Sequence, residues 1–137
     1  MTTAVDSSVL LDVLSADPQF GPRSREALRK AYASGALLAC EVVWAEVRAH
    51  FWNEESFRET LSLLGVRFDP ISEEAARLAG QHWSEYCSRH RSSRNRVVAD
   101  FLIGAHAQLQ AESFLTRDRG FYRHYFSGLR VQDPSQA

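Results

Sequence analysis

The sequence lacks the features that mark membrane-spanning, secreted and zinc-binding proteins. Its two cysteines, Cys40 and Cys87, are far apart, so neither a CxxC zinc site nor a disulfide framework is indicated. No stretch approaches the roughly 18 uncharged apolar residues of a membrane span. The N-terminus also lacks the basic start and apolar run of a signal peptide. We therefore expect a soluble, cytoplasmic protein in which both cysteines are buried and unreactive.

Lysine is almost absent, and arginine carries nearly all of the positive charge. Lys30 is the one lysine among 16 basic residues, and the net charge of −1 argues against general affinity for nucleic acid. Arginine makes planar, two-pronged contacts with phosphate that lysine does not make. A high arginine content is also typical of GC-rich coding. The local cluster RHRSSRNR, residues 89–96, is therefore the more informative feature.

The order of apolar and amphipathic segments predicts the fold class. The length of 137 residues fits one domain, and 45% hydrophobic residues can form a real core. Strands are predicted at residues 2–5, 36–39, 66–68, 113–116 and 129–131. Helices are predicted from Ser7 or Ser8 to about residue 16 and at residues 24–35, 41–52, 54–64, 72–90 and 97–112. This alternation predicts a single α/β domain over residues 1–137, a three-layer α/β/α sandwich with a short parallel sheet.

Two carboxylates follow predicted strands directly. Asp6 ends the first strand in AVDSSVLLD, and Asp118 comes just after the strand that follows the last long helix. Functional crevices of parallel sheets lie outside the carboxyl ends of the strands. We therefore expect both side chains on the crevice side, although each also fits a plain structural role, as a helix-end or turn residue.

Two further carboxylates lie on helix faces that look apolar. Glu46 shares its face with Val42, Val43 and Ala49, so we expect a buried carboxylate that is protonated, ion-paired or bound to a metal. Asp100 lies in the first turn of its helix, on a face of small residues that lets the helix approach the sheet. An arginine partner for Glu46 and a helix-dipole role for Asp100 are the structural alternatives.

Four like charges in one crevice would repel one another and raise each other's pKa. A divalent cation removes this repulsion. Because the set contains carboxylates and neither cysteine nor clustered histidine, Mg²⁺ or Mn²⁺ suits it better than zinc.

Four short motifs together resemble the PIN-domain ribonucleases of the VapC toxin type. They are VDSSVLLD at the start, VVWAEV in a helix, DFLIGAHA after the basic loop, and LTRDRGF near the end. Each is weak alone, but their order and context cover essentially the whole chain. The resemblance implies an endoribonuclease with a PIN-like fold that dimerises with a second copy and is inhibited by a cognate VapB-like antitoxin.

The resemblance also assigns roles to residues. It implies that a Mg²⁺ or Mn²⁺ ion is held by four acidic residues, Asp6, Glu46, Asp100 and Asp118. Ser7 and Thr116 match hydroxyl residues that support the acidic set. Several arginines near Asp100 and Asp118 are positioned to contact the RNA backbone: Arg89, Arg91, Arg94, Arg96, Arg117 and Arg119. The alternative for the 89–96 cluster is a solvated loop.

Two other functions stay open from the sequence. One is a metal-dependent nuclease acting on DNA, and the other is a non-catalytic interaction module with structural carboxylates. A dinucleotide-binding domain is disfavoured because no G-x-G-x-x-G follows the first strand. The aromatic stretch WAEVRAHFWNEESF, residues 44–57, predicts either ordinary core packing or a surface for an antitoxin helix.

Overall fold

A parallel five-stranded sheet forms the centre of the protein. The computed structural model describes residues 1–136. The strands are β1 (Thr3–Val5), β2 (Leu37–Ala39), β3 (Val66–Phe68), β4 (Ser113–Leu115) and β5 (Val131–Gln132), in the spatial order β3-β2-β1-β4-β5. The chain moves from β1 towards β3 first and later continues from β4 to β5 on the other side of β1. The strand order therefore reverses between β1 and β4, which is where ligands bind in open α/β sheets.

Seven helices in the described residues cover the two faces of the sheet. They are α1 (Ser7–Leu14), α2 (Gly21–Ser34), α3 (Glu41–Arg48), α4 (Glu54–Leu64), α5 (Glu73–Arg89), α6 (Val98–Gln110) and α7 (Arg119–Tyr125). Right-handed crossovers place α1 to α4 on one face and α5 to α7 on the other. The predicted three-layer α/β/α architecture is confirmed.

The short strands are stable because they are buried on both faces. All three residues of β1 and of β4 are buried, and Val5 pairs with Leu115 across the two strands. Helix ends follow their sequence signals. Ser72 caps α5 by accepting a hydrogen bond from the N–H of Ala75 at 3.1 Å, and Gly65 ends α4 in a left-handed conformation with φ of 74°.

The aromatic residues of α5, α6 and α7 form a shared core. Phe101 is fully buried and packs against Tyr86 of α5 and Phe121 of α7, with ring centroids 5.5 and 5.2 Å apart. Gly104 is required by close approach, because a Cβ atom there would lie 2.4 Å from the ring of Phe126. The small-residue face of α6 therefore receives this ring as well as facing the sheet.

Several element predictions need correction. The helix α7 was not predicted, because RDRGFYRHY contains a glycine and five charged or histidine residues within a short span. The helix predicted at 41–52 ends at Arg48, where the next residues turn before Asn53 caps α4. The last strand lies at 131–132 instead of 129–131, and α2 begins earlier than predicted, at Gly21.

The two cysteines are free, but only one is fully buried. Cys40 is 1% exposed, as expected, whereas Cys87 is partly exposed on α5. Across residues 1–136, the helices are too short or too polar to cross a bilayer.

Candidate active site

Asp6 lies at the carboxyl end of the central strand and is almost completely buried. Its side chain caps α1 by accepting a hydrogen bond from the N–H of Ser7 at 2.8 Å. Burial raises the pKa of Asp6 to about 6, and the negative charges of Glu46 and Asp118 add to this rise against the hydrogen bonds from Thr116 and Ser7. A carboxylate that is buried from solvent and close to other negative charges destabilises the fold unless a cation compensates its charge.

Thr116 joins Asp6 to Asp118. Its buried hydroxyl donates a hydrogen bond to Oδ2 of Asp6 at 2.6 Å and accepts one from the N–H of Asp118 at 3.0 Å. The backbone N–H of Asp6 also donates to the carbonyl of Leu115 at 2.9 Å. One hydroxyl therefore links the carboxylate of Asp6 to the backbone of Asp118, at the point where the strand order reverses.

Glu46 does not occupy the buried position that the sequence predicted. Val43 and Val47 are the residues of α3 that face the core, while Glu46 is exposed on the flank of the helix. The apolar stripe is narrower than the helical pattern implied, because Ala49 and Ala45 are exposed as well. Glu46 is nevertheless near enough to Asp6 for its charge to raise the Asp6 pKa.

Asp100 lies in the first turn of α6 and is half-buried. Its Oδ2 accepts a hydrogen bond from the backbone N–H of Val97 at 3.2 Å, so it does serve the helix end, as the structural alternative proposed. Its charge also reaches the crevice, since it helps to raise the pKa of Arg96 and of Tyr122.

Tyr122 is buried within range of the charges of three acidic residues and was not predicted from the sequence. It is 2% exposed, and burial raises its pKa well above the ordinary value, with added contributions from the charges of Asp6, Asp100 and Asp118. The signal was available in principle, because Tyr122 comes one helical turn after Asp118. Without knowledge of α7, that spacing had no structural meaning.

Arg96 is paired with Asp118. Its guanidinium donates to both carboxylate oxygens, with the Nη2 to Oδ1 distance at 3.2 Å, and lies 4.1 Å from the ring centre of Phe121. Arg96 thus occupies one side of the acidic cluster, within the set that the sequence assigned to RNA contacts.

Arg117 departs from the expectation of an RNA-contacting residue. Its guanidinium binds both carboxylate oxygens of Asp12 at 2.6 and 3.0 Å and stacks on Phe20. Asp12 is buried and also accepts a hydrogen bond from Ser24 at 2.9 Å. This pair links α1, α2 and the segment after β4, so Arg117 holds the loop between Thr116 and Asp118.

The remaining arginines are available to solvent. Arg89, Arg91 and Arg94 are exposed, and Arg119 is half-exposed. Within residues 1–136 none of these four forms an ion pair with a carboxylate side chain. They remain candidates for phosphate contacts.

The donor chemistry of the cluster fits Mg²⁺ or Mn²⁺, but the side chains do not form a ready-made cage. Among residues 1–136 no three histidine, cysteine or acidic side chains converge closely enough to enclose a metal ion. Mg²⁺ does not need such a cage, because it usually keeps several waters and uses one or two carboxylates. Asp6 and Asp118 satisfy that requirement, and the Arg96 guanidinium stands beside Asp118 where positive charge is favoured.

Comparisons with known proteins bear on the family and the fold of the chain. A model of the PIN domain family matches residues 3–127. The fold resembles the crystal structure of FitAcB from Neisseria gonorrhoeae, with 23% identity, a TM-score of 0.71, and coverage of 98% of this chain and 99% of that one. It also resembles VapBC2 from Rickettsia felis bound to a promoter DNA fragment, with 17% identity, a TM-score of 0.68, and coverage of 97% and 98%. VapBC-1 from nontypeable Haemophilus influenzae matches at 17% identity and a TM-score of 0.69, with coverage of 99% and 100%. No curated protein sequence matches the chain.

Proposed function

We propose, from the premise that this chain belongs to the PIN domain family, that it is a Mg²⁺- or Mn²⁺-dependent endoribonuclease and the toxin of a toxin–antitoxin pair. The observation that carries the proposal is the unit of Asp6, Thr116 and Asp118 at the strand-order reversal. A buried carboxyl group with a pKa of about 6 destabilises the fold when it is ionised, but it is suitable as a cation ligand.

The residues of the site have separable roles in this proposal. A divalent cation bound here would polarise the scissile phosphate and activate water for attack. Asp6 and Asp118 would hold the ion, with Asp100 and Glu46 completing the negative field around it. Thr116 and the N–H of Ser7 keep the Asp6 carboxylate in one orientation through their hydrogen bonds. The hydrogen bonds are therefore formed before the substrate binds, which avoids reorganisation during the reaction.

The exposed arginines support a polyanionic substrate. Arg89, Arg91 and Arg94 lie at the end of α5 and in the segment that leads to Asp100. Contacts from such residues to phosphates position a strand without reading its sequence. With a net charge of −1 the chain has no general attraction for polyanions, so such contacts depend on this local group of arginines.

Cleavage assays with isosteric variants test the nuclease proposal. We expect Asp118→Asn to lower the rate of Mg²⁺-dependent RNA cleavage at least 100-fold, because it removes a ligand charge while keeping the shape of the side chain. Asp133→Asn is the matched control, since Asp133 also follows a strand but lies after β5, and within residues 1–136 its side chain bonds only to Ser135. Absence of Mg²⁺-dependent cleavage by the wild type would support a non-catalytic module. Equal cleavage rates of wild type and Asp118→Asn would exclude Asp118 as a ligand, and faster cleavage of DNA than RNA would support a DNA nuclease.

An apolar surface near Trp52 supports the proposed antitoxin partner. Trp44 and Phe51 pack against Phe57, so most of the predicted aromatic surface belongs to the core. Trp52 is fully exposed in the α3–α4 connection. A groove of about 410 Å³ opens nearby between α1 and the α3–α4 region, lined by residues that include Leu11, Leu14 and Phe51. An antitoxin segment with apolar side chains suits this surface, and the similar solved structures include a toxin–antitoxin complex from Klebsiella pneumoniae.

Growth assays test the partner proposal. Cells expressing the chain should stop growing, and co-expression of the proposed cognate antitoxin should restore growth. Trp52→Glu should keep the growth arrest but lose the recovery, because a charge in an apolar contact opposes binding. Recovery of the Trp52→Glu strain to the wild-type level would exclude this surface.

A further inference from the structure

The Arg96 guanidinium occupies the acidic cluster as an internal cation. It binds both oxygens of Asp118, and its pKa is raised first by that hydrogen bond and also by the charges of Asp118 and Asp100. A divalent cation and a guanidinium favour the same carboxylate for the same electrostatic reason.

The backbone of Arg96 is anchored beside the acidic cluster, so its guanidinium stays near the site when the side chain rotates. The hydroxyl of Tyr86, which is 2% exposed, accepts hydrogen bonds from the N–H groups of Asn95 at 2.9 Å and Arg96 at 3.1 Å, and donates one to Oδ1 of Asn95 at 2.9 Å. The guanidinium also stacks on the ring of Phe121. Only rotation of the side chain is therefore free to move the charge.

The exposure of the pair distinguishes it from the pair of Arg117 and Asp12. The side chains of Arg96 and Asp118 are 25% and 40% exposed, whereas that of Asp12, which pairs with Arg117, is 5% exposed. Partly exposed pairs are weak because water competes for both partners. The contact between Arg96 and Asp118 is thus the one that a strongly bound ion can replace.

We propose that Arg96 competes with the divalent cation for Asp118 and, once displaced, binds a phosphate of the RNA beside the metal. This inference rests on the proposed function. In the metal-free protein the guanidinium compensates the carboxylate, and in the loaded protein the same guanidinium remains within one side-chain length of Asp118. A planar guanidinium can bind two phosphate oxygens at once, so its release creates a substrate contact. Metal binding and RNA binding are thereby coupled, each increasing the affinity for the other.

Titration of metal-stripped protein with Mn²⁺, followed by electron paramagnetic resonance, tests the competition. Arg96→Met keeps the length of the side chain and removes the guanidinium, so the apparent Kd for Mn²⁺ should fall at least fivefold. Arg119→Met is the matched control, since it removes the same charge one residue from Asp118 but breaks no ion pair within residues 1–136. Its Kd should change less than twofold.

The outcomes separate this inference from the proposed function. Equal effects of Arg96→Met and Arg119→Met would overturn direct competition, because the gain would then come from general electrostatics. Failure of wild-type protein to bind Mn²⁺ at millimolar concentration would instead overturn the metal site and the nuclease proposal. Far-ultraviolet circular dichroism confirms that each variant is folded, and Arg96→Lys, which keeps the charge but not the two-pronged contact, should give an intermediate Kd.

A second titration tests the phosphate contact. The probe is a fluorescein-labelled oligoadenylate of 20 nucleotides with hydrolysis-resistant phosphorothioate linkages, because backbone contacts do not depend on base sequence and the probe must stay intact in the presence of Mn²⁺. With saturating Mn²⁺, Arg96→Met should bind the probe at least fivefold more weakly than wild type. Without Mn²⁺ the two proteins should differ less than twofold, since Asp118 then holds the guanidinium. Loss of affinity that is the same with and without Mn²⁺ would overturn the coupling.

Discussion

At the residue scale, the ionised carboxylate of Asp6 destabilises the folded, metal-free protein. Its pKa in the folded protein is about 6, against 3.8 as the ordinary value, and burial is the main cause. The folded state therefore takes up the proton before the unfolded state does. The contribution of Asp6 to stability is fully present below pH 3.8 and is lost as the pH rises through about 6, a change on the order of 3 kcal/mol.

The first prediction concerns Asp6→Asn in the metal-free protein. At pH 7.5 the amide is neutral and removes the burial of a charge, so we expect the free energy of unfolding to rise by about 1 to 3 kcal/mol. At pH 4 the carboxyl group of wild type is already protonated in the folded state, and the gain should disappear. Urea denaturation at the two pH values measures both. A loss of stability at pH 7.5 would contradict the account.

Asp12 provides the opposite case. It is a buried carboxylate with a full set of partners, Arg117 and Ser24. Asp12→Asn should lower the free energy of unfolding at pH 7.5 by roughly 2 kcal/mol or more, because it leaves a partly buried guanidinium without its charge partner. The same urea titration measures this value. Changes of opposite sign in the free energy of unfolding would establish that the Asp6 charge destabilises the metal-free protein, whereas the Asp12 charge stabilises it.

At the scale of the elements, the segment between α5 and α6 is held by one hydroxyl group. Tyr86 serves two backbone N–H groups and one side-chain oxygen of this segment. Tyr86→Phe keeps the ring packing against Phe101 and removes these hydrogen bonds. We expect it to reduce stability by about 1 to 2 kcal/mol and to speed amide hydrogen exchange at Asn95 and Arg96. Unchanged exchange at those two amides would show that the segment is fixed by other contacts.

The elements also show what the sequence could and could not predict. The alternation of short apolar strands with helices indicated the parallel sheet. Strand ends indicated Asp6 and Asp118, because the geometry of parallel sheets is nearly the same in every protein. Glu46 was misplaced because a helical face shows which residues could be buried, but the neighbouring helices determine which are. Val43 and Val47 occupy that position here.

The sequence could not predict which carboxylate pairs with which arginine. Arg96 and Arg117 look alike in the chain, each close to a site carboxylate, yet one pairs with Asp118 and the other with Asp12. Their partners lie 22 and 105 positions away. Such pairs depend on the packing of several elements, which no local pattern encodes. The helix α7, with Tyr122 beside the acidic residues, was unpredicted for a related reason, since its short span carries mixed polarity.

At the scale of the whole molecule, the strand order explains why residues from distant parts of the chain meet. Because β1 and β4 are neighbours and parallel, Asp6 and Thr116 lie within hydrogen-bond distance although 110 positions separate them. The expected homodimer stays a prediction, and sedimentation equilibrium measures it. A mass of about twice 15.5 kDa is the expected result, and 15.5 kDa at micromolar concentration would contradict it.

The central claim is that the acidic cluster is held ready for a divalent cation, and the ionisation of Asp6 reports on it most directly. Carbon-13 NMR of the aspartate carboxyl groups, with the Asp6 signal assigned through Asp6→Asn, measures its pKa with and without Mg²⁺. The account predicts a pKa of about 6 in the metal-free protein and a clear decrease when Mg²⁺ is added, because the ion favours the charged form. An ordinary pKa that Mg²⁺ leaves unchanged would contradict it.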